Sequence, residues 1–203
     1  MTVSKARKLL ALAEREPERL QRHLLLAAAL KEALTGDPVV VGGTAEEFWT
    51  QAEYHETDLD LCVPISREDE AALRQLGLER TGRHWSRPGL QAVVEFPDDR
   101  IDGDESRTVE HKVGPGAARI IGLDDLYLDR LRQATTDQRR ERVEFQSALA
   151  VVAARYEDLD WSYVRRRLTE IGVREGAIGG SMKRIDSKIR RRVRRALSEP
   201  DSR

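Results

Sequence analysis

A pair of glycines directly after a short β-branched run constrains this chain more than any other feature of its sequence. Val39-Val40-Val41 is typical of a strand buried on both faces, and Gly42-Gly43 follows it at once. Glycine lets the backbone turn sharply and approach a ligand without interference from a Cβ atom. Residues 44–51 then favour a helix. Its free N–H groups would point back at the turn, an arrangement that suits a phosphate.

Two carboxylates lie on the next predicted strand. Asp58-Leu59-Asp60-Leu61-Cys62-Val63 alternates acidic with apolar residues before Pro64 ends the run. Residues two apart on a strand face the same side, so Asp58 and Asp60 are expected to project together. Neighbouring carboxylates repel each other unless a cation lies between them, and oxygen ligands of this kind suit Mg²⁺.

Glu95 is a candidate third carboxylate. It lies in Gln91-Ala92-Val93-Val94-Glu95-Phe96, which predicts a strand, and an unpaired charge would be costly among these apolar residues. An acidic residue on a strand beside the Asp-x-Asp pair would complete a two-metal site for in-line displacement. An ion pair between Glu95 and either Arg87 or Lys112 is the alternative interpretation.

These motifs resemble those of the DNA polymerase β-like nucleotidyltransferase superfamily, which combine a Gly-Gly or Gly-Ser loop with an acidic h-D-h-D-h strand and a third acidic strand. The matching runs are Val40-Val41-Gly42-Gly43-Thr44-Ala45 and Asp58-Leu59-Asp60-Leu61. The closer resemblance is to the AbiE-type toxin nucleotidyltransferases (the AbiEii-like branch). There the Gly-Gly-Thr-Ala form is common, and a helix similar to Asp124-Asp125-Leu126-Tyr127-Leu128-Asp129-Arg130-Leu131 follows the sheet. The resemblance covers about residues 38–155.

The resemblance implies an enzyme that transfers a nucleoside monophosphate from an NTP to an acceptor hydroxyl and releases pyrophosphate. By this resemblance Asp58, Asp60 and Glu95 would be catalytic and would hold two Mg²⁺ ions. Glu95 would also help to deprotonate the acceptor. Electrostatic positioning is most of what such a transfer needs from the protein. The contacts to the nucleotide's phosphates would come from Gly42, Gly43, Thr44 and Arg130.

The order of the predicted elements indicates an α+β protein with a small mixed β-sheet core of the nucleotidyltransferase (polymerase β-like) type. We expect N-terminal helices over residues 1–36, broken near Pro17, and the nucleotidyltransferase core over residues 37–122. A helical C-terminal region with a basic tail is expected over residues 123–203. The segment from Gly77 to Gly89 is predicted to be rich in turns.

Charge is unevenly distributed along the chain. Residues 161–203 carry 13 Lys/Arg against five Asp/Glu, whereas the first 160 residues carry 22 against 31. In the basic tail, residues 181–197, apolar residues recur every three or four positions, which predicts an amphipathic helix. Three interpretations of this tail stay open: a helix docked on the acidic remainder of the chain, an arm that binds tRNA or another RNA, and an interface with an acidic antitoxin-like protein.

Cys62 is the single cysteine, so an intrachain disulfide is excluded and a reducing compartment is expected. The sequence has no run of about 18 apolar residues and no signal-peptide pattern, which predicts a cytoplasmic protein without a membrane partner. Two rival functions remain. One is a small-molecule nucleotidyltransferase of the aminoglycoside type, whose cationic acceptor would suit an acidic cleft. The other is a non-catalytic nucleotide- or partner-binding module with the same fold.

Overall fold

The computed structural model describes residues 3–52, 58–135 and 138–198, and the chain divides into units of residues 1–122 and 123–203. The helices of the first unit are α1 (Val3–Ala13), α2 (Arg19–Ala33), α3 (Gly42–Thr50) and α4 (Arg67–Gln75), with a 3₁₀ turn at Glu105–Arg107. Its strands are β1 (Val39–Val40), β2 (Asp58–Cys62), β3 (Glu79–Thr81), β4 (His84–Ser86), β5 (Val93–Glu95), β6 (Val109–Val113) and β7 (Gly116–Ile120). The second unit contains α5 (Leu123–Gln133), α6 (Gln138–Arg155), α7 (Trp161–Arg174) and α8 (Gly176–Ser198).

The described strands form one seven-stranded mixed sheet in the order β3-β4-β5-β2-β1-β7-β6. β1 is parallel to β7 and β2 is parallel to β5, while the remaining pairs are antiparallel. The predicted fold class, an α+β protein with a mixed sheet and helices at both ends, is confirmed. The order also brings the strand before the Gly-Gly turn directly beside the Asp-x-Asp strand.

Local sequence signals set the helix starts. Helix α2 begins after Pro17, where the Glu18 carboxylate accepts hydrogen bonds from the N–H groups of Leu20 and Gln21. Helix α4 begins with a capping box, because the Ser66 hydroxyl accepts from the Asp69 N–H and the Asp69 carboxylate accepts from the Ser66 N–H. These contacts satisfy N–H groups that have no partner inside a helix. Since α1 ends at Ala13 and α2 begins at Arg19, the predicted break near Pro17 is confirmed.

The segment from Gly77 to Gly89 is more ordered than the turn-rich prediction. Strands β3 and β4 form a hairpin in which Thr81 pairs with His84, so Gly82 and Arg83 make a two-residue loop. Gly82 has a φ of +63°, a backbone angle that glycine adopts at little cost. The hairpin extends the sheet beyond β5 and places His84 opposite Glu95.

The second unit is all helical among the residues described there. Helix α8 starts earlier than the predicted tail helix and buries Met182, Ile189 and Val193 on one face. The Tyr127 hydroxyl donates to Asp186 Oδ1 over 3.0 Å, and this buried contact ties α5 to α8. No described helix is long and apolar enough to cross a membrane. The division of the chain into three parts stays a prediction.

Candidate metal centre

The Gly-Gly turn lies against the second aspartate of the Asp-x-Asp strand. Gly42 has a φ of +65° and is the first residue of α3. A Cβ at this position would overlap Asp60 Oδ2 and would lie 3.0 Å from Asp60 Cγ. The Val41 N–H donates to the Asp60 carbonyl over 3.0 Å, which fixes the turn to the strand. Glycine is required here both by the backbone angle and by the space that Asp60 occupies.

The three predicted carboxylates lie on one face of two neighbouring strands. On β2, Leu59 and Leu61 are fully buried, while Asp58 and Asp60 project to the opposite face and are half-buried. Parallel pairing of β2 with β5 sets Asp60 beside Glu95. Residues paired across parallel strands share a face. The acidic face predicted from the sequence is therefore formed by backbone register.

His84 adds an imidazole to this face. Ligand atoms of Asp58, His84 and Glu95 all lie within 4.8 Å of one another. His84 Nδ1 is 2.7 Å from Glu95 Oε1, and antiparallel pairing of β4 with β5 places the two residues opposite each other. Two carboxylates and an imidazole are common ligands of divalent ions. The donor set therefore fits a divalent metal ion.

Glu95 is not paired as the alternative interpretation expected. Its side chain is 9% exposed, and Arg83 Nε lies 3.1 Å from Oε2. Arg87 instead pairs with Glu14 at 2.8 Å and donates to the Leu76 carbonyl. Oε1 of Glu95 is buried and, although His84 Nδ1 lies 2.7 Å away, it makes no hydrogen bond to any described residue. A buried carboxylate oxygen without a hydrogen bond is costly, and a bound cation would remove that cost.

A buried histidine supports the first turn of α3. His23 Nδ1 lies 2.8 Å from Thr44 Oγ1, and both residues are buried. Burial, together with the nearby charges of Arg19 and Arg22, lowers the pKa of His23 to about 4. The Asp58 carboxylate opposes this shift of the pKa. The imidazole is therefore neutral at pH 7, and it positions the Thr44 side chain without adding charge.

Arg130 lies in the second unit, on α5. Its side chain is 5% exposed, and Nη1 donates to Glu144 Oε2 and to Gln133 Oε1, each over 3.1 Å. Within its own unit the guanidinium group is thus held in an ion pair. The proposed contact between Arg130 and the nucleotide stays a prediction.

The tail helix presents the predicted basic surface. Among the described residues of α8, the exposed basic side chains form what we call the α8 basic face, while the half-buried Arg190 pairs with the buried Asp186 at 2.7 Å. Clustered Lys and Arg side chains of this kind suit a polyanion. The α8 basic face consists of Lys183, Arg184, Lys188, Arg191, Arg192, Arg194 and Arg195.

Two residues of this centre, His84 and His23, were not predicted from the sequence. His84 could have been found, because a Gly-X pair between two short strand-like runs indicates a two-residue hairpin, here Gly82 and Arg83. His23 gives no such signal, since it lies inside the Leu- and Ala-rich α2 and resembles any polar residue of a helix.

Comparison with known proteins agrees with this architecture. No protein-family model matches the chain, and a search of curated proteins finds no significant relative. Among solved structures, the chain is similar to an antigenic nucleotidyltransferase-like protein from Paracoccidioides brasiliensis. The TM-score is 0.54 with 12% identity, and the match covers 83% of this chain and 94% of that chain. The chain therefore has a nucleotidyltransferase-like fold, while the AbiE-type branch stays a prediction.

Proposed function

We propose that this protein is a metal-dependent nucleotidyltransferase that moves a nucleoside monophosphate from an NTP to an acceptor hydroxyl. One observation carries the proposal: Asp58 and Glu95 converge with His84 within 4.8 Å on the face where Asp60 adjoins the Gly42 turn. A phosphate-binding turn beside carboxylates that can hold metal ions is what the transfer of a nucleoside monophosphate from an NTP requires of a protein.

Each residue has a role in this scheme. Asp58, Asp60 and Glu95 would hold two Mg²⁺ ions, which supply positive charge to the transferring phosphoryl group. The Glu95 carboxylate would help to take the proton from the acceptor hydroxyl. The first N–H groups of a helix have no partner inside it, so the start of α3 at Gly42 and Gly43 would face the triphosphate. Arg130 would neutralise charge on the leaving pyrophosphate, and His23 positions the Thr44 side chain.

We favour RNA, and tRNA in particular, as the acceptor. The support is the α8 basic face, whose seven exposed basic side chains would contact phosphates. The role of a toxin paired with an antitoxin-like protein rests on the sequence resemblance to the AbiE-type branch.

Transfer can be tested with the purified protein, each of the four α-³²P-labelled NTPs, Mg²⁺ and total tRNA. The wild type should label tRNA with at least one nucleotide. Asp58→Asn should reduce labelling by about 100-fold or more, because electrostatic stabilisation of the transferring phosphoryl group is lost. Asp99→Asn is the matched control, since Asp99 is an exposed carboxylate on a loop of the same unit and should leave labelling unchanged.

Two outcomes would contradict this proposal. Full activity of Asp58→Asn would remove Asp58 from the site. No labelled product from any NTP, with tRNA or with small-molecule acceptors, would favour a binding module with the same fold. Label on a small molecule alone would retain the transferase and reassign its acceptor.

The contribution of the α8 basic face is measured by the salt dependence of RNA binding. Replacing Arg184, Arg191 and Arg192 together by Gln should reduce the slope of log K against log salt by about 2, because each phosphate contact to single-stranded RNA contributes about 0.7. Fluorescence anisotropy with labelled tRNA between low and moderate salt gives this slope.

The matched control for this slope replaces three exposed arginines of the first unit. Arg15, Arg67 and Arg100 changed together to Gln remove the same charge from elsewhere on the chain. The slope should not change in this control. An equal slope for the wild type and the α8 variant would assign the basic face to another role.

A small cationic acceptor is the second candidate, and it is favoured by charge. The first 160 residues carry nine more acidic than basic side chains, counted as 31 Asp/Glu against 22 Lys/Arg. An acidic surface raises the local concentration of a cation. Replacing tRNA by an aminoglycoside in the labelling experiment distinguishes the two acceptors directly.

A further inference from the structure

We propose that His84 is a metal ligand, and that the position shared by Asp58, His84 and Glu95 takes a divalent first-row transition ion in preference to Mg²⁺. This inference rests on the proposed metal-dependent transfer and replaces Mg²⁺ at one of its two metal positions. The oxygen-only position at Asp60 would keep Mg²⁺.

Two buried atoms of this position lie close together without a hydrogen bond between them. His84 Nδ1 and Glu95 Oε1 are 2.7 Å apart, yet within the described part of the chain neither atom makes a hydrogen bond. A hydrogen bond at this distance would need the donor, hydrogen and acceptor to be nearly in line. The two atoms are in ion-pair contact without hydrogen-bond geometry, so each buried atom is poorly satisfied by the other. One cation bound by both atoms would satisfy them together.

Strand pairing of the backbone fixes the residues that carry the donor atoms. His84 and Glu95 are opposite residues of antiparallel strands, and β5 is also paired with the strand that carries Asp58. Three ligands therefore come from three adjacent strands. Arg83 Nε lies 3.1 Å from Glu95 Oε2, so Oε1 is the oxygen left to bind the ion. Glu95 would bind the ion through one oxygen.

The donor atoms themselves disfavour Mg²⁺. Mg²⁺ takes oxygen ligands and retains several waters, whereas imidazole nitrogen suits first-row transition ions such as Zn²⁺, Fe²⁺ and Ni²⁺. A position with one imidazole and two carboxylates should therefore discriminate against Mg²⁺. His84 is 40% exposed as a side chain, but its Nδ1 atom is buried, so the ring presents this nitrogen to the carboxylates rather than to solvent.

The test uses Mn²⁺ as a paramagnetic first-row probe. Its binding to the full chain is measured by electron paramagnetic resonance in the presence of a large excess of Mg²⁺. The wild type should retain Mn²⁺ and show ¹⁴N coupling from an imidazole in the electron spin-echo envelope. His84→Ala should abolish this coupling and weaken Mn²⁺ binding at least tenfold. Its affinity for Mg²⁺ should change less than threefold. His111→Ala removes a histidine from β6 and should behave as the wild type.

Three results would overturn the inference. Bound Mn²⁺ without ¹⁴N coupling would exclude an imidazole ligand, yet would leave nucleotide transfer standing. Coupling that survives His84→Ala but is lost in His23→Ala would assign the ligand to the buried imidazole of α2. Displacement of Mn²⁺ by equimolar Mg²⁺ would remove the preference. Because none of these readouts uses labelled NTP, they are independent of the transfer experiment.

Discussion

Gly42→Ala is expected to lower the free energy of unfolding by roughly 3 kcal/mol and to reduce the proposed nucleotide transfer strongly. An L-residue in the left-handed region costs about 1–2 kcal/mol, and the backbone here has a φ of +65°. The added Cβ would also overlap Asp60 Oδ2 and approach Asp60 Cγ at 3.0 Å, and overpacking adds about 1–3 kcal/mol. If the Asp60 carboxylate rotates away to relieve the overlap, stability recovers in part but a predicted metal ligand is displaced.

Gly82→Ala isolates the contribution of the left-handed backbone angle to this loss in the free energy of unfolding. Gly82 has a nearly identical φ of +63°, and nothing lies within 4 Å of a Cβ built there. Urea unfolding should therefore show a loss of only about 1 kcal/mol for Gly82→Ala. Equal losses for the two glycines would contradict the predicted contact with Asp60.

The contact itself is measured by a double-mutant cycle. Asp60→Ala removes the carboxylate that the new Cβ would meet, so Gly42→Ala should be less destabilising in that background. A coupling of about 1 kcal/mol or more is expected, because residues in direct contact do not act additively. Additive effects would show that the turn moves away from the strand instead.

Much of the fold could be predicted because its signals are local. The break near Pro17 and the alternation along Asp58-Leu59-Asp60-Leu61 each act over a few residues, and the structure places both where the sequence predicted them. The contact between the Gly42 turn and Asp60 depends in addition on the pairing of β1 with β2.

What the sequence could not supply is register between strands distant in the chain. Glu95 was expected near the aspartates, but its partner Arg83 and its neighbour His84 depend on a hairpin of two three-residue strands. Strands this short carry little periodicity, so the pattern alone does not define them. His23 depends on how α2 packs against α3, which is a tertiary contact with no local signal.

The stability of the protein should fall as the pH is lowered from about 6.5 to about 4, because of His23. Its pKa in the folded state is lowered to about 4, chiefly by burial, from a usual value of 6.5. Between these values the unfolded chain binds a proton that the folded chain does not. The free energy of unfolding therefore rises with pH across this window. The stabilising contribution of neutral His23 is fully present above the window and is lost towards pH 4.

The expected loss from His23 is about 3 kcal/mol, since each unit of pKa difference corresponds to 1.36 kcal/mol. His23→Asn is the matched variant, because an amide can keep the hydrogen bond to Thr44 and does not titrate. Urea unfolding of both proteins across this range isolates the histidine, since Glu18, Arg19 and Asp58 are present in each. The difference between the two unfolding free energies should shrink or change sign as the pH falls. A difference that stays constant from pH 7 to pH 4.5 would show that the imidazole is protonated without cost, and that water reaches the first turn of α3.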